Sequence, residues 1–353
     1  MDPISQGAIG AAFAQSASTH RRLGWIALFG CIGGLAPDLD VFITSRTDPL
    51  LFLEYHRQFS HSLIFIPIGA FAVSTLLGAL FRHPLSRLQA FGAAFAGYAT
   101  HGLLDACTSY GTQLFWPFSD QRISWNNVSV VDPLFTLPVL GLTLWGIWRK
   151  RRGFAVLAMA WGLAYLVVGV LQHARVRDAS LALAQTRAHA PQDLLVKPAF
   201  GNLLLWKSVY RYDGRYYVDG HRAGPEVTHC QGDHIAVLDI ARDLPSLDPN
   251  SQQARDLERF RWFSMGYLAR FDHALPGRSA EASELIVDVR YSNLPNTIAP
   301  MWGIELNANG DPQTHVRWWA SRSLSAAGRT EFAALLDGEK CMNYQTFAEL
   351  AHD

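Results

Sequence analysis

The hydropathy pattern of the chain changes character near residue 172. Before that point, apolar residues gather in long runs with few charges; after it, Asp, Glu and Arg are interspersed as in a water-soluble domain. A bilayer-spanning helix needs about 20 mostly apolar residues. Five runs qualify, at 23–43, 61–81, 88–106, 131–148 and 154–171. A weaker run at 3–18 is rich in small residues and reads either as a short extra span packed closely on its neighbours or as an interfacial helix. Residues 1–172 are therefore expected to form an all-α membrane domain of five or six transmembrane helices.

The second half reads differently. Residues 173–195 are expected to form a polar helix leaving the membrane, a stalk. Residues 196–353 are expected to form a soluble α+β domain with an antiparallel sheet. Strand-like runs fall at 201–211, 215–222, 284–291, 300–307 and 314–320, and helix-like runs at 250–262 and 326–337. Tyr212-Asp213-Gly214-Arg215 signals a hairpin turn. Ten aromatic residues, among them Trp206, Tyr210, Trp302 and Trp319, serve either as core and sheet packing or as a surface for lipid headgroups or a glycan. His221, His229, Asp233 and His234 are expected as exposed loop residues rather than as a second metal site.

Charge sets the orientation. The loops around Arg21-Arg22, Arg82 and Arg87, and Arg149-Lys150-Arg151-Arg152 hold eight Lys/Arg; the opposite loops, 44–60 and 107–130, hold only Arg46, Arg57 and Arg122. The positive-inside rule puts the first set in the cytoplasm and the second, with everything after 172, on the far side. The formal net charge is zero, and with no basic patch nothing points to nucleic acid. The Cys residues are Cys31, Cys107, Cys230 and Cys341, without a CxxC motif, so a zinc ribbon and a thioredoxin-type motif are excluded. Cys230 and Cys341 can pair if their domain is periplasmic.

Ionisable residues at membrane depth are costly and call for a reason. Here they gather at one end: Asp38 and Asp40 in A-P-D-L-D, His56 and His61 in H-R-Q-F-S-H-S, His101 and Asp105 in H-G-L-L-D, and Asp132 in V-D-P. His101 and Asp105, four apart, share a helix face and can grip one ion. Pro37 should break its helix and let Asp38 and Asp40 turn inward. Taken singly, each element has a plainer reading, as a helix-face hydrogen bond, a helix terminator or an interfacial residue; together they indicate a metal site. Imidazole and carboxylate ligands without thiolate favour Zn, Mn or Fe, zinc foremost. Such a site activates a bound water, with Asp38 or Asp40 as the candidate base. Arg57 is either a phosphate clamp or an interfacial anchor.

These motifs, with G-Y-A-T-H-G-L-L-D-A-C-T-S-Y-G-T-Q-L-F-W-P-F-S-D and V-D-P-L-F, resemble the bacterial membrane-bound metal-dependent hydrolases typified by the YdjM inner-membrane protein. The resemblance covers about residues 1–170. It implies a helical inner-membrane domain with a His/Asp metal centre formed by Asp38, Asp40, His56, His61, His101 and Asp105, supported by Asp132. It also implies a distant similarity to zinc-dependent phospholipase C and P1-type nucleases. Gln6 stands where members often carry a His, and offers a hydrogen bond to a ligand in place of a metal bond. The expected function is a metal-dependent hydrolase acting on a phosphoester or similar bond of a lipid-linked or periplasmic substrate. The alternative is a non-catalytic membrane protein with a structural metal site and a partner-binding C-terminal domain.

Overall fold

The computed structural model describes residues 1–18, 22–273, 275, 277, 284–307 and 310–342; His20 and Arg21 of the first basic loop lie outside them. The first half holds helices α1 (Pro3–Ala17), α2 (Leu23–Leu35), α3 (Leu51–Tyr55), α4 (Ile66–Leu80), α5 (Arg87–Ala106), α6 (Pro133–Arg149) and α7 (Gly153–Thr186). Among the described residues three segments are long and apolar enough to cross a membrane: Leu23–Phe42, Leu63–Leu80 and Gly153–Thr186. The runs expected at 88–106 and 131–148 form helices α5 and α6. They are not among the three because α5 is diluted by Arg87, His101, Asp105 and many small residues, and α6 has 17 residues.

Two compact units make up the chain. The first contains Met1–Ile43, Tyr55–Gln172 and Phe200–Leu203; the second contains Thr44–Glu54, His173–Ala199 and everything from Leu204. In the first unit 10 of the 15 residues of α1 are buried, in keeping with the closely packed alternative for run 3–18. Its packing depends on glycine. A Cβ at Gly97 of α5 would lie 1.9 Å from the Gly30 carbonyl oxygen of α2, and one at Gly10 of α1 would lie 2.5 Å from the same oxygen. Small residues thus let three helix backbones touch. The helix starts are chemically marked. Ser86 and Gln89 form a capping box on α5, and Asp132 caps α6 with Pro133 at its first position. Pro37 ends α2, and the chain continues as a 3₁₀ segment, Ala36–Phe42, that carries Asp38 and Asp40.

The second unit corrects several expectations. The stretch 173–195 is helical as far as Thr186, where it continues α7, and β1 (Gln192–Pro198) begins within its last residues. The sheet structure is two antiparallel sheets rather than one. The first has β1, β2 (Leu205–Tyr212), β3 (Arg215–Ala223) and β4 (Val227–Cys230) in order, with β5 (His234–Ala236) also on β3; the second has β6 (Leu268–Arg270), β7 (Glu284–Asp288), β8 (Trp302–Leu306) and β9 (Arg317–Ala320). Of the strands not expected, β4, β5 and β6 have four residues or fewer and show no readable alternation, while β1, seven residues long, overlaps the stretch read as a polar helix. The expected hairpin turn joins β2 to β3, with Asp213 and Gly214 both at positive φ, as a two-residue type I′ turn requires. Helices α8 (Ile240–Asp243), α9 (Gln252–Phe263) and α10 (Ala326–Asp337) complete the unit.

Val209, Tyr216 and Val218 of the first sheet and Ala269, Leu285 and Val287 of the second share one core. Trp206, Tyr210, Trp302 and Trp319 are buried, so these aromatics are packing. His221 and His229, expected on exposed loops, are instead fully buried cross-strand partners on β3 and β4, with His221 Nε2 2.8 Å from Ser208 Oγ. His234 is exposed. Loop 44–54 belongs to this unit: Leu50 is buried, Phe52 meets Trp318 edge-on, and Arg259 bridges Asp48 and Glu54. Cys230 and Cys341 form a disulfide, while Cys31 and Cys107 are free.

Two outcomes follow. Gly97→Ala should force α2 and α5 apart and cost about 1–3 kcal/mol, seen as a lower melting temperature of the detergent-purified protein; an unchanged melt would contradict the backbone contact. Peptide mapping without reductant should recover a cross-linked Cys230–Cys341 pair, and replacing both by Ala should cost about 2–5 kcal/mol.

Candidate metal centre

The 3₁₀ segment after α2, the loop before α4 and the last turns of α5 bring their polar side chains together. Four donor groups, from Asp38, His61, His101 and Asp105, have ligating atoms all within 4.8 Å of one another. His61 Nε2 lies 2.9 Å from His101 Nε2. Asp38 Oδ1 is 3.4 Å from each of these nitrogens, and Asp105 Oδ2 is 3.4 Å from His61 Nε2 and 4.0 Å from His101 Nε2. Donors held about 2.0–2.1 Å from a tetrahedral zinc stand about 3.3 Å apart, so the cage has the size of such an ion. His61, His101 and Asp105 are buried, and the Asp38 carboxylate is 25% exposed.

Partners around the cage fix its chemistry. His101 Nδ1 sits 2.6 Å from the Gly34 carbonyl oxygen, which can only accept, so this nitrogen carries the proton. His61 Nδ1 sits 3.1 Å from Asp40 Oδ2, likewise an acceptor. In the neutral rings both Nε2 atoms are then bare, and two lone pairs face each other at 2.9 Å. That is an unfavourable contact unless a cation stands between them. Asp105 Oδ2 is buried and accepts no hydrogen bond of good geometry, although Arg57 Nε lies 3.0 Å away. A divalent metal fits this donor set, as the carboxylate–histidine pairing around metals requires.

Asp40 organises the loop. Its Oδ2 accepts from the Arg57 amide at 3.0 Å and from Ser60 Oγ at 2.7 Å, and its Oδ1 lies 2.7 Å from His56 Nδ1. Arg57 adopts a left-handed φ of 69° to present that amide. Its guanidinium turns inward: Nη1 donates to Thr108 Oγ1, and the group lies over Tyr110. Arg57 is 4% exposed, a burial that an interfacial anchor would not have. Desolvation holds the His56 imidazole below its ordinary pKa. Asp38, Asp40 and His56 form a second close group beside the first.

A family model described as YdjM inner membrane protein matches residues 1–176, the half that carries the cage. The chain belongs to the YdjM inner membrane protein family. No curated protein and no solved structure matches it, so the comparisons give no link to phospholipase C or P1-type nucleases.

The remaining residues of this YdjM-family site take distinct places. Gln6 Nε2 donates to Asp105 Oδ1 at 2.8 Å and so steadies that carboxylate from behind; the amino group of Met1 contacts the same oxygen. Asp132 is not brought into the cage. It caps α6 and accepts from Tyr165 Oη. Three contributors were not among the expected site residues: the Gly34 carbonyl, Ser60, and Tyr98, whose hydroxyl donates to the Ser60 carbonyl. Ser60 lies within H-R-Q-F-S-H-S and Tyr98 within G-Y-A-T-H-G-L-L-D, so both sit in the quoted motifs although neither is of metal-ligand type; the Gly34 carbonyl lies outside them.

Asp40→Asn should weaken divalent-metal affinity about 10–100-fold, because it spoils the acceptor that sets the His61 tautomer. Asp132→Asn, which keeps a cap at α6, should leave affinity unchanged. Competition with a fluorescent chelator measures both, and equal losses would contradict the division of roles.

Proposed function

We propose that this YdjM-family protein is a metal-dependent hydrolase of the inner membrane, with zinc foremost and Mn or Fe as the other candidates. The observation that carries the proposal is the facing pair of bare Nε2 atoms on His61 and His101, flanked by Asp38 and Asp105. A bound divalent cation supplies Lewis acidity and makes water a better nucleophile near neutral pH. The rest falls to side chains of the chain itself. Asp40 is fully engaged by His56, Arg57, Ser60 and His61, so it orients. Asp38 faces the two imidazoles through Oδ1, and as the partly exposed carboxylate it has its second oxygen able to take a proton from water as the bond to phosphorus forms and the bond to the leaving alcohol breaks. Arg57 supplies a fixed cation for a phosphoester.

The sidedness follows the same reading. We take α5 and α6 to cross the bilayer as well, with α1 packed among the spans. The Arg-rich loops are cytoplasmic by the positive-inside rule. The metal centre, loop 44–54 and the C-terminal domain are then periplasmic, and the Cys230–Cys341 disulfide supports an oxidising compartment for that domain. The substrate class is a phosphoester or similar bond in a lipid-linked or periplasmic molecule.

A second reading has its own observation. Asp105 completes a set of four protein donors, the number a structural zinc takes. In that case the C-terminal domain would bind an envelope partner.

Metal analysis of detergent-purified protein should find stoichiometric divalent metal, lost in both His61→Ala and His101→Ala. Metal-loaded protein should hydrolyse at least one member of a panel of bis-p-nitrophenyl phosphate, phospholipid and undecaprenyl phosphate, and Arg57→Gln should slow turnover while keeping the metal. Metal-replete protein silent across the panel favours the structural reading; full occupancy in both histidine variants removes the cage assignment.

A further inference from the structure

The opposite end of the same helical unit carries a different feature. The second half of α4, the loop after it and the first turns of α5 enclose a groove of 780 Å³. Its apolar wall includes Phe71, Leu88 and Phe91; Gly78, His83 and Arg87 line its other parts. Phe71 and Leu88 are 66% and 79% exposed, large apolar side chains turned outward on a unit built for a bilayer. The groove runs along the candidate span Leu63–Leu80 and ends at the polar loop Phe81–Ser86. One end of it is therefore at hydrocarbon depth and the other at the headgroups.

Charge at that polar end is one-sided. Arg82 and Arg87 are exposed, and among the described residues neither has an ion-pair partner. The chain contains no Asp or Glu between Glu54 and Asp105, so α4, its loop and nearly all of α5 carry no acid to balance them. From α2, the rings that meet His83 are Trp25 and Phe29, both uncharged. His83 Nδ1 accepts from the Leu85 amide at 3.2 Å, which leaves Nε2 as the proton-bearing donor in the neutral ring. That nitrogen faces Gly78, 3.6 Å from where a Cβ would sit.

We propose that this groove holds one anionic glycerophospholipid. An acyl chain lies against Phe71, Leu88 and Phe91, and the phosphate is met by Arg87 and the His83 Nε2–H of the lining, with Arg82 of the adjoining loop adding a second positive charge. Basic pockets between membrane helices recognise anionic headgroups in this way, and the apolar wall excludes a soluble phosphate as the main ligand. The site is separate from the His/Asp cage and does not depend on the catalytic reading.

Native mass spectrometry of the full chain in detergent tests it with phosphatidylglycerol, phosphatidylcholine and inorganic phosphate as probes. Phosphatidylglycerol should bind more tightly than phosphatidylcholine, by roughly fivefold for each arginine, and inorganic phosphate should not displace it. Arg82→Ala with Arg87→Ala should bring the two lipids level. Gly78→Leu, which fills the groove, should lower retention of both while the melting temperature stays that of the parent protein. Equal binding of the two lipids by the parent protein, a preference that survives the double arginine change, or displacement by inorganic phosphate would each overturn the proposal.

Discussion

The candidate metal centre depends on how closely α2 and α5 approach. Gly97 lets the α5 backbone reach the Gly30 carbonyl, and a Cβ at Gly33 would lie 2.3 Å from the Ala94 carbonyl oxygen. At this separation the Gly34 carbonyl, one turn further along α2, reaches His101 Nδ1 at 2.6 Å. That carbonyl lies in the last turn of α2, where carbonyls lack a full set of intrahelical donors, so it can serve a side chain. Lipid tails give helices no hydrophobic drive to associate, and contact of this kind must come from backbone fit and hydrogen bonds. The glycine-rich face that packs the bundle thus also sets the tautomer of His101.

Around that fixed histidine the other groups form a single arrangement. Asp40 draws the 56–61 loop inward by its amide, hydroxyl and imidazole donors, and a left-handed Arg57 is the conformational cost of doing so. Tyr98, one turn before His101 on α5, holds the same loop through the Ser60 carbonyl. The loop is therefore anchored from both the 3₁₀ segment after α2 and α5, and His61 arrives facing His101. Pre-organisation of this order is what lets a cation be bound without paying to assemble its ligands.

How far the sequence disclosed all this follows from the physics of each signal. Long apolar runs and their polar ends were legible because burial in lipid tolerates few exceptions. His61, His101, Asp38 and Asp105 stood out because charge at membrane depth is rare. Contributions from backbone atoms were invisible: nothing in a glycine codon announces that its carbonyl will meet an imidazole. Asp132 shows the opposite failure. Its place in V-D-P suited a site residue, yet an Asp before a Pro at a helix start is equally a cap, and capping is what it does. In the second unit the alternation of β2 and β3 was plain, whereas β5 and β6, three residues each, offered no pattern, and strand burial turned His221 and His229 inward against their polar appearance.

Whether the cage takes three protein donors or four turns on Asp105. Its Oδ2 lies 3.0 Å from Arg57 Nε but 4.0 Å from His101 Nε2, whereas Asp38 Oδ1 is equidistant from the two imidazoles at 3.4 Å. Arg57 therefore draws Asp105 off the centre, and Gln6 holds the other oxygen in that displaced position. His61, His101 and Asp38 are the tighter set. Three protein donors with a carboxylate and a guanidinium waiting beside the fourth vertex is the pattern of a site that keeps a position for water. A His in place of Gln6 would bring another nitrogen toward Asp105; Gln instead gives that carboxylate a hydrogen bond and leaves the fourth vertex to the contest between the metal and Arg57. Gln6 and the arginine in its left-handed conformation therefore act on one carboxylate, and under the proposed function it is that carboxylate which would separate a structural ion from a reactive one.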